Sequence, residues 1–331
     1  MALPDLPLSG AWTDCFDAWL QTVFDRSGSD RSRAVYRNQI TRFLAFVGKS
    51  PEQVTRSDVR AFLSQESQGN RHRGAPVAAA TQNGRLTALA SFYRFASTFD
   101  VDGTPLFTGQ LPTIGFPYLA PDITYRAMSS EELRRFFSAI PHNTLQGIRD
   151  TAIFLTYFWT IRRRAEIASL TFGDIEPVTF PDGHQGHLYR YHGKGKSRQF
   201  LTKELPSPAW NAIDHYLTVS GRKATIQADD PLFVSVYHTR AVKPLSTNWL
   251  NGRFKHYAQL AGLDSARLSI HSLRHTGSRI RYENKQDIIS LKNLLDHSSL
   301  ETTYRYVMRI SATADTGVPL LLEKFGHLGE P

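Results

Sequence analysis

The sequence is poor in cysteine, since Cys15 is the only one in 331 residues. A single thiol excludes a disulfide within the chain and a metal site built from several thiolates of one chain. A lack of disulfides is typical of proteins in reducing compartments, so we expect a cytoplasmic location.

Long apolar runs are also absent. The most apolar stretch, residues 152–159, is far too short to span a bilayer, and it contains Thr156 and Tyr157. Residues 1–10 carry neither a basic start nor an apolar core, so they do not resemble a signal peptide. These observations predict a protein with no membrane partner.

Acidic residues are the minority among the charged ones, with 30 Asp and Glu against 39 Lys and Arg. The formal net charge is +9, and the isoelectric point is about 9.6. A basic balance favours a polyanionic partner, above all a nucleic acid. A generally basic surface or an affinity for acidic membranes would give the same balance.

The first third of the chain predicts helices. Apolar residues recur at helical spacing in four segments, and the third segment opens with a capping box formed by Thr55 and Asp58. Four such helices are enough to close a small core, so residues 1–104 are assigned to one helical domain. Residues 105–125 are interrupted by glycine and proline, which predicts an extended linker.

Residues 126–331 combine further helical segments with strand-like material. Residues 187–191 and 198–201 flank a turn with Gly193 and Gly195, which is the pattern of a β-hairpin. The chain is therefore predicted to be mainly α with a small β-sheet, an α+β protein of two domains.

One pair of polar residues in the second domain is able to bind an anion. His271 and Arg274 stand three residues apart in a predicted helix, so they share a face. The His-x-x-Arg pattern is common by chance, and a solvated helix face is the simpler explanation of the pair alone. No zinc site is expected there, because no ligand set at standard spacing surrounds the pair.

Two tyrosines near the end of the sequence differ in helical phase. A capping box starts a helix near Ser299. Leu300, Tyr304 and Val307 then fall on one apolar stripe, so Tyr304 is interpreted as a packing residue. Tyr306 lies off that stripe and is the better candidate for chemistry.

Four segments resemble the tyrosine recombinases of the phage integrase family, in the family's order. They are residues 160–170 (Thr-Ile-Arg-Arg-Arg-Ala-Glu-Ile-Ala-Ser-Leu), 192–196 (His-Gly-Lys-Gly-Lys), 271–276 (His-Ser-Leu-Arg-His-Thr) and 295–306 (Leu-Asp-His-Ser-Ser-Leu-Glu-Thr-Thr-Tyr-Arg-Tyr). The first segment is Cre-like. The resemblance implies a helical core-binding domain (1–104) and a catalytic domain (126–331), which together form a clamp around DNA.

The resemblance also implies a catalytic set. Its members are Arg163, Lys194, His271, Arg274, His297 and Tyr306. The first arginine is selected because it stands three residues before Glu166, with Arg162 and Arg164 as alternatives. His297 stands nine residues before Tyr306, and this spacing selects the same tyrosine as the helical phase does.

By this resemblance, Tyr306 attacks a DNA phosphodiester whose oxygens the two arginines and His297 hold. His271 is expected as a base or an orienting residue, and Lys194 as the acid for the departing 5′ oxygen. The 3′-phosphotyrosyl product is resolved by another 5′-hydroxyl, which leads to Holliday-junction strand exchange without a metal or other cofactor. Two alternatives stay open: a type IB topoisomerase-like DNA relaxation, and a DNA-binding protein without strand exchange.

The expected partners are double-stranded recombination sites and further copies of the chain. The resemblance implies a homotetramer, in which an apolar helix at about 317–327 docks onto a neighbouring copy; packing on its own domain is the alternative. Polar faces of the second and fourth helices predict DNA contacts, with solvated surface as the alternative reading. The residues concerned are Arg33, Arg37, Gln82 and Arg85.

Overall fold

The structure is a computed structural model that describes residues 8, 10–65, 77–119, 126–193, 200–235 and 244–310. These residues form two compact units, which divide between residues 119 and 126. The first unit is helical apart from one short strand pair, and the second combines helices with a three-stranded sheet. The prediction of a mainly α protein with a small β-sheet is confirmed.

The first unit has four α-helices among its described residues, with a strand pair after the last. They are α1 (Gly10–Ser27), α2 (Asp30–Val47), α3 (Arg56–Leu63), α4 (Ala79–Ala96), β1 (Asp100–Val101) and β2 (Thr104–Pro105). The predicted capping box is present at the start of α3, where the backbone N–H of Thr55 donates to the Asp58 carboxylate over 2.8 Å. The capping box fixes where α3 begins, and the apolar faces of the four helices then close one core.

Aromatic side chains dominate that core. Trp19 and Phe92 are almost completely buried, with ring centroids 5.2 Å apart. Phe107 is only 7% exposed and packs on the same cluster, and Leu119 and Asn83 exchange two hydrogen bonds of 2.7 and 2.9 Å. The expectation that the stretch from residue 105 is an extended linker is therefore wrong for residues 105–119, because its apolar side chains find a surface to cover.

The second unit contains eight α-helices among its described residues. They are α5 (Ser130–Ser138), α6 (Leu145–Thr160), α7 (Arg164–Ala168), α8 (Ser207–Val219), α9 (Thr247–Leu260), α10 (Ile270–Glu283), α11 (Ile288–Leu295) and α12 (Leu300–Ile310). Helix α6 runs through the centre of the core, where Ile153, Phe154 and Tyr157 are at most 1% exposed. A buried central helix of this kind fixes the position of the turn at its end.

The sheet of the second unit is antiparallel, with strand order β3 (Ile175–Thr179), β4 (Gln185–His192) and β5 (Phe200–Leu205). The predicted hairpin corresponds to β4 and β5, whereas β3 was not foreseen, because it is short and only half covered. Tyr189 and Tyr191 on β4 point into the core, and Tyr191 reaches the site described next.

Candidate active site

Two left-handed turns frame the site. Ile161, with φ of 48°, ends α6, and Asp296, with φ of 53°, ends α11. Such a backbone conformation is uncommon for residues other than glycine and is least favourable for a β-branched residue such as Ile161. Arg163 follows the first turn and His297 follows the second, so both candidate residues stand at the points where the chain reverses.

Helix α10 packs tightly against the first turn. A Cβ atom on Gly277 would lie 2.7 Å from both the Ile161 side chain and the Phe158 carbonyl oxygen. No real side chain fits at that distance, so a glycine is required there. The close approach brings the candidate residues of α10 up to the turn that carries Arg163.

Arg274 ties both turns together. Its guanidinium donates to the carbonyl oxygen of Ile161 and, over 3.0 Å, to that of Leu295. The residue is 5% exposed, and burial, the largest influence, lowers the pKa of its guanidinium. Part of its hydrogen-bonding capacity therefore orients the two loops on which the other candidate residues stand.

The three consecutive arginines have different environments. Arg162 is fully buried and donates to the Asp296 carboxylate and the Tyr191 hydroxyl. The side chain of Arg163 is 27% exposed, and Glu166 accepts hydrogen bonds from its guanidinium at 3.0 Å and from its backbone N–H at 2.8 Å. Arg163 is thus both oriented and accessible, whereas Arg162 is enclosed.

Two candidate histidines have structural partners on their Nδ1 atoms. His271 Nδ1 lies 3.2 Å from the Tyr157 hydroxyl, and His297 Nδ1 lies 3.0 Å from the Thr303 hydroxyl. Burial and then the charge of Arg274 lower the pKa of each imidazole to about 4. Both rings are therefore neutral at neutral pH in the DNA-free protein.

Tyr306 completes the group. Its hydroxyl lies 2.8 Å from His275 Nδ1, and its ring meets that of His297 edge-on with centroids 5.5 Å apart. Burial raises the pKa of the phenol, and the charge of Arg274 opposes that rise. Sequence reasoning did not single out His275, although it shares the face of α10 that carries His271 and Arg274.

The helical-phase argument for the two tyrosines is wrong in its premise. Tyr304 is 52% exposed and Leu300 is 44% exposed, whereas Tyr306 packs against a small apolar cluster that includes Val307. The inward face of α12 is the face of Thr303, Tyr306 and Val307, where Thr303 and Val307 are fully buried. Tyr306 remains the candidate through its family spacing and its surroundings.

Two predicted features lie outside the described residues. These are Lys194, which stands between β4 and β5 in the sequence, and the apolar segment at about 317–327. The structure thus brings together five of the six predicted catalytic residues, which are Arg163, His271, Arg274, His297 and Tyr306.

The predicted DNA-contacting residues of the first unit have mixed environments. Arg85 is 3% exposed and donates to the Phe62 carbonyl oxygen, so its assignment to a polar face is wrong; its side chain packs over the Phe62 ring. Arg33 is paired with Asp30 at 2.6 Å. Arg37 lies over an aromatic ring of α1, and Gln82 donates to a backbone carbonyl.

Within the described ranges, no group of three or more His, Cys, Asp or Glu side chains is arranged to hold a metal ion. No helix in the described part of the chain is both long enough and apolar enough to cross a membrane.

Comparisons with known sequences agree with the motifs. Residues 126–311 match the phage integrase family, and residues 16–98 match the phage integrase N-terminal SAM-like domain. The chain is 24% identical over 317 residues to tyrosine recombinase XerC 2 of Ralstonia nicotianae, covering 93% of this chain and 85% of that protein. Over 190 residues it is 30% identical to tyrosine recombinase XerD of Xanthomonas campestris pv. campestris, covering 55% of each.

Solved structures share the fold. The XerH site-specific recombinase bound to its palindromic difH substrate aligns with a TM-score of 0.66 at 16% identity, covering 99% of this chain and 91% of that chain. A lambda integrase dimer bound to a COC′ core site aligns with a TM-score of 0.64 at 14% identity, covering 89% and 94%.

The family match spans more than half of the chain, so the protein belongs to the phage integrase family. It is a tyrosine recombinase, an enzyme class that cuts and rejoins DNA at specific sites. The resemblance that the four sequence motifs indicated is thereby confirmed.

Proposed function

We propose that Tyr306 is the nucleophile with which this recombinase cuts DNA and forms a 3′-phosphotyrosyl intermediate. The observation that carries the proposal is the position of its phenol, beside His275 and His297 and under the influence of the Arg274 charge. A phenol that is held beside a cationic guanidinium can meet a phosphodiester and keep the resulting covalent bond for a second transfer.

The surrounding residues take distinct roles in this proposal. Arg163 and Arg274 hold the non-bridging oxygens and stabilise the charge that builds on them in the transition state. His297 adds a hydrogen bond to the same oxygens, and His271 is oriented by the Tyr157 hydroxyl. Lys194 protonates the departing 5′ oxygen.

Recombination also requires a DNA clamp and several copies of the chain. We infer that the helical first unit, which extends beyond residue 104, forms a core-binding domain and that residues 126–331 form a catalytic domain. The two domains bind double-stranded sites and exchange strands as a homotetramer through a Holliday junction. A lambda integrase tetramer bound to a Holliday junction shares the fold, with a TM-score of 0.62 at 15% identity. The partly exposed side chains of Arg33, Arg37 and Gln82 remain proposed DNA contacts.

The test begins by finding a DNA site. Gel shifts with Tyr306→Phe select duplexes from a randomised pool, since this variant should bind DNA without cutting it. The unchanged protein should then form a covalent adduct with the selected duplex and exchange strands between two copies of it. Sedimentation of the same complex measures how many chains assemble.

The matched control is Tyr304→Phe. This substitution also removes a phenolic hydroxyl, but Tyr304 is exposed on the same helix. Tyr304→Phe should form the adduct at the normal rate, and Tyr306→Phe should form none. An adduct with Tyr306→Phe would show that another residue is the nucleophile. Relaxation of supercoiled DNA without exchange would favour the topoisomerase-like alternative.

A further inference from the structure

The phenol of Tyr306 has a partner that the predicted catalytic set does not include. His275 Nδ1 lies 2.8 Å from the phenolic oxygen, and the centroids of the two rings are 5.2 Å apart. His271, which the sequence suggested as a base, has its Nδ1 atom 3.2 Å from the Tyr157 hydroxyl instead. Within the described residues, the imidazole placed to receive the phenolic proton is therefore that of His275.

We propose that His275 is a catalytic residue, the base that takes the proton of Tyr306 as the phenol attacks the scissile phosphate. The proposal rests on the proposed role of Tyr306 as the nucleophile. One bond forms between the phenolic oxygen and phosphorus, and the bond between phosphorus and the 5′ oxygen breaks. The phenolic proton moves to His275 Nδ1, and the 5′ oxygen takes its proton from the proposed acid Lys194.

Religation reverses each transfer. The incoming 5′-hydroxyl gives its proton back to the acid residue, attacks phosphorus and releases the phenolic oxygen. His275 returns its proton to that oxygen as it leaves. The same residue thus serves both directions, as microscopic reversibility requires.

Tyrosine needs such a base. A free phenol has a pKa of about 10, so only about one in a thousand is ionised at neutral pH. Burial raises the pKa of Tyr306 further, although the nearby charge of Arg274 opposes the rise. Attack by a preformed phenolate would therefore use a very small fraction of the protein.

The surroundings of His275 keep its imidazole in the neutral form, which is the form that can accept a proton. The residue is half-buried on α10, and it faces Tyr306 on α12. Burial and then the charges of His271 and Arg274, on its own helix, lower the pKa of its imidazole to about 4. The ring is consequently neutral at neutral pH, and with its hydrogen on Nε2 it leaves Nδ1 free to accept.

The test replaces His275 with glutamine, which keeps a hydrogen-bond acceptor but takes no proton. Single-turnover cleavage of the selected duplex should fall by about 100-fold or more, the usual contribution of a positioned base. From about pH 7 to about pH 9 the unchanged protein should cut at a constant rate, whereas the variant should gain about tenfold per pH unit as phenolate accumulates. His142→Gln, an exposed histidine outside the site, should behave like the unchanged protein.

A modified duplex distinguishes removal of the phenolic proton from protonation of the leaving 5′ oxygen. When sulfur replaces the bridging 5′ oxygen, the leaving group departs without a proton. The His275→Gln defect should persist on this substrate, because the missing group acts on the phenol, whereas a Lys194→Ala defect should disappear. Rescue of His275→Gln by the sulfur substrate, or a variant pH profile as flat as that of the unchanged protein, would overturn the assignment.

Thermal melting and gel-shift affinity report whether the variant folds. If His275→Gln does not fold, the pH profile of cleavage by the unchanged protein is the test. A rate that rises about tenfold per pH unit would indicate direct attack by phenolate and would contradict a role for a base. Failure of the unchanged protein to form any adduct would count against the proposed function itself. A normal adduct together with an unaffected His275→Gln would count against this inference alone.

Discussion

At the scale of single residues, the fold places three identical consecutive side chains, Arg162, Arg163 and Arg164, in three different environments. Arg162 is enclosed with Asp296, and Arg163 lies half-exposed against Glu166. Arg164 begins α7, and its charge contributes to the lowered pKa of His271. Family spacing selects Arg163, and the enclosure of Arg162 gives an independent physical reason for the same choice.

The first prediction concerns the planar shape of the Arg163 guanidinium. Arg163→Lys should keep the charge but lose the planar fork that binds two phosphate oxygens at once, so cleavage should fall by about 100-fold to 1,000-fold. Arg164→Lys is the matched control and should change the rate far less. Equal losses in the two variants, measured by single-turnover cleavage, would contradict the choice of Arg163.

At the scale of elements, one buried ion pair joins the turn after α6 to the turn after α11. The Arg162 side chain is 0% exposed and that of Asp296 is 14% exposed, and Tyr191 of β4 hydrogen-bonds to both. Arg274 bridges the same two turns through their carbonyl oxygens. Two separate contacts therefore hold Arg163 and His297 on adjacent loops.

The second prediction is that substitutions of Arg162 and Asp296 have non-additive effects on the free energy of unfolding. Asp296→Asn keeps the left-handed turn but leaves a buried guanidinium uncompensated, which should lower the free energy of unfolding by about 3 kcal/mol or more. Adding Arg162→Leu should recover most of that loss, since the uncompensated charge of Arg162 is then removed.

Urea unfolding of the two single variants and the double variant measures this coupling. Glu131→Gln is the control, because its ion pair with Arg134 is exposed and should contribute less than about 1 kcal/mol. Losses that simply add in the double variant would mean that the pair is not coupled.

At the scale of the whole molecule, the active site makes stability depend on pH. Burial, together with nearby cations, lowers the pKa of His271, His275 and His297 to about 4 in the folded protein. A histidine in the unfolded chain has a pKa of about 6.5. Between these two values the unfolded chain binds protons that the folded chain excludes, so acid favours unfolding.

The free energy of unfolding should therefore be constant with respect to these groups above about pH 6.5 and fall as the pH decreases towards about 4. Urea unfolding at a series of pH values, followed by circular dichroism, measures the slope. Replacing all three histidines with glutamine should flatten the curve in this window. An equally steep curve in the triple variant would assign the effect to other groups.

The sequence predicted much of this protein, because local rules and family motifs act over short stretches. Caps such as the one formed by Thr55 and Asp58 set helix ends, and the spacing from Glu166 and His297 selected Arg163 and Tyr306. The same rules failed where tertiary contacts override them. Arg85 is polar by type yet buried against Phe62, and residues 105–119 look like a linker yet cover a core.

Only the tertiary structure decided which residues meet. Helical phase placed Tyr304 inside, but Tyr304 is 52% exposed and Tyr306 packs against the small apolar cluster that Ile161, Leu291, Leu295 and Val307 form. The contacts of His275 with Tyr306 and of Arg162 with Asp296 join residues 31 and 134 positions apart in the chain. No local pattern encodes such distances; they arise when α10, α11 and α12 pack around the end of α6.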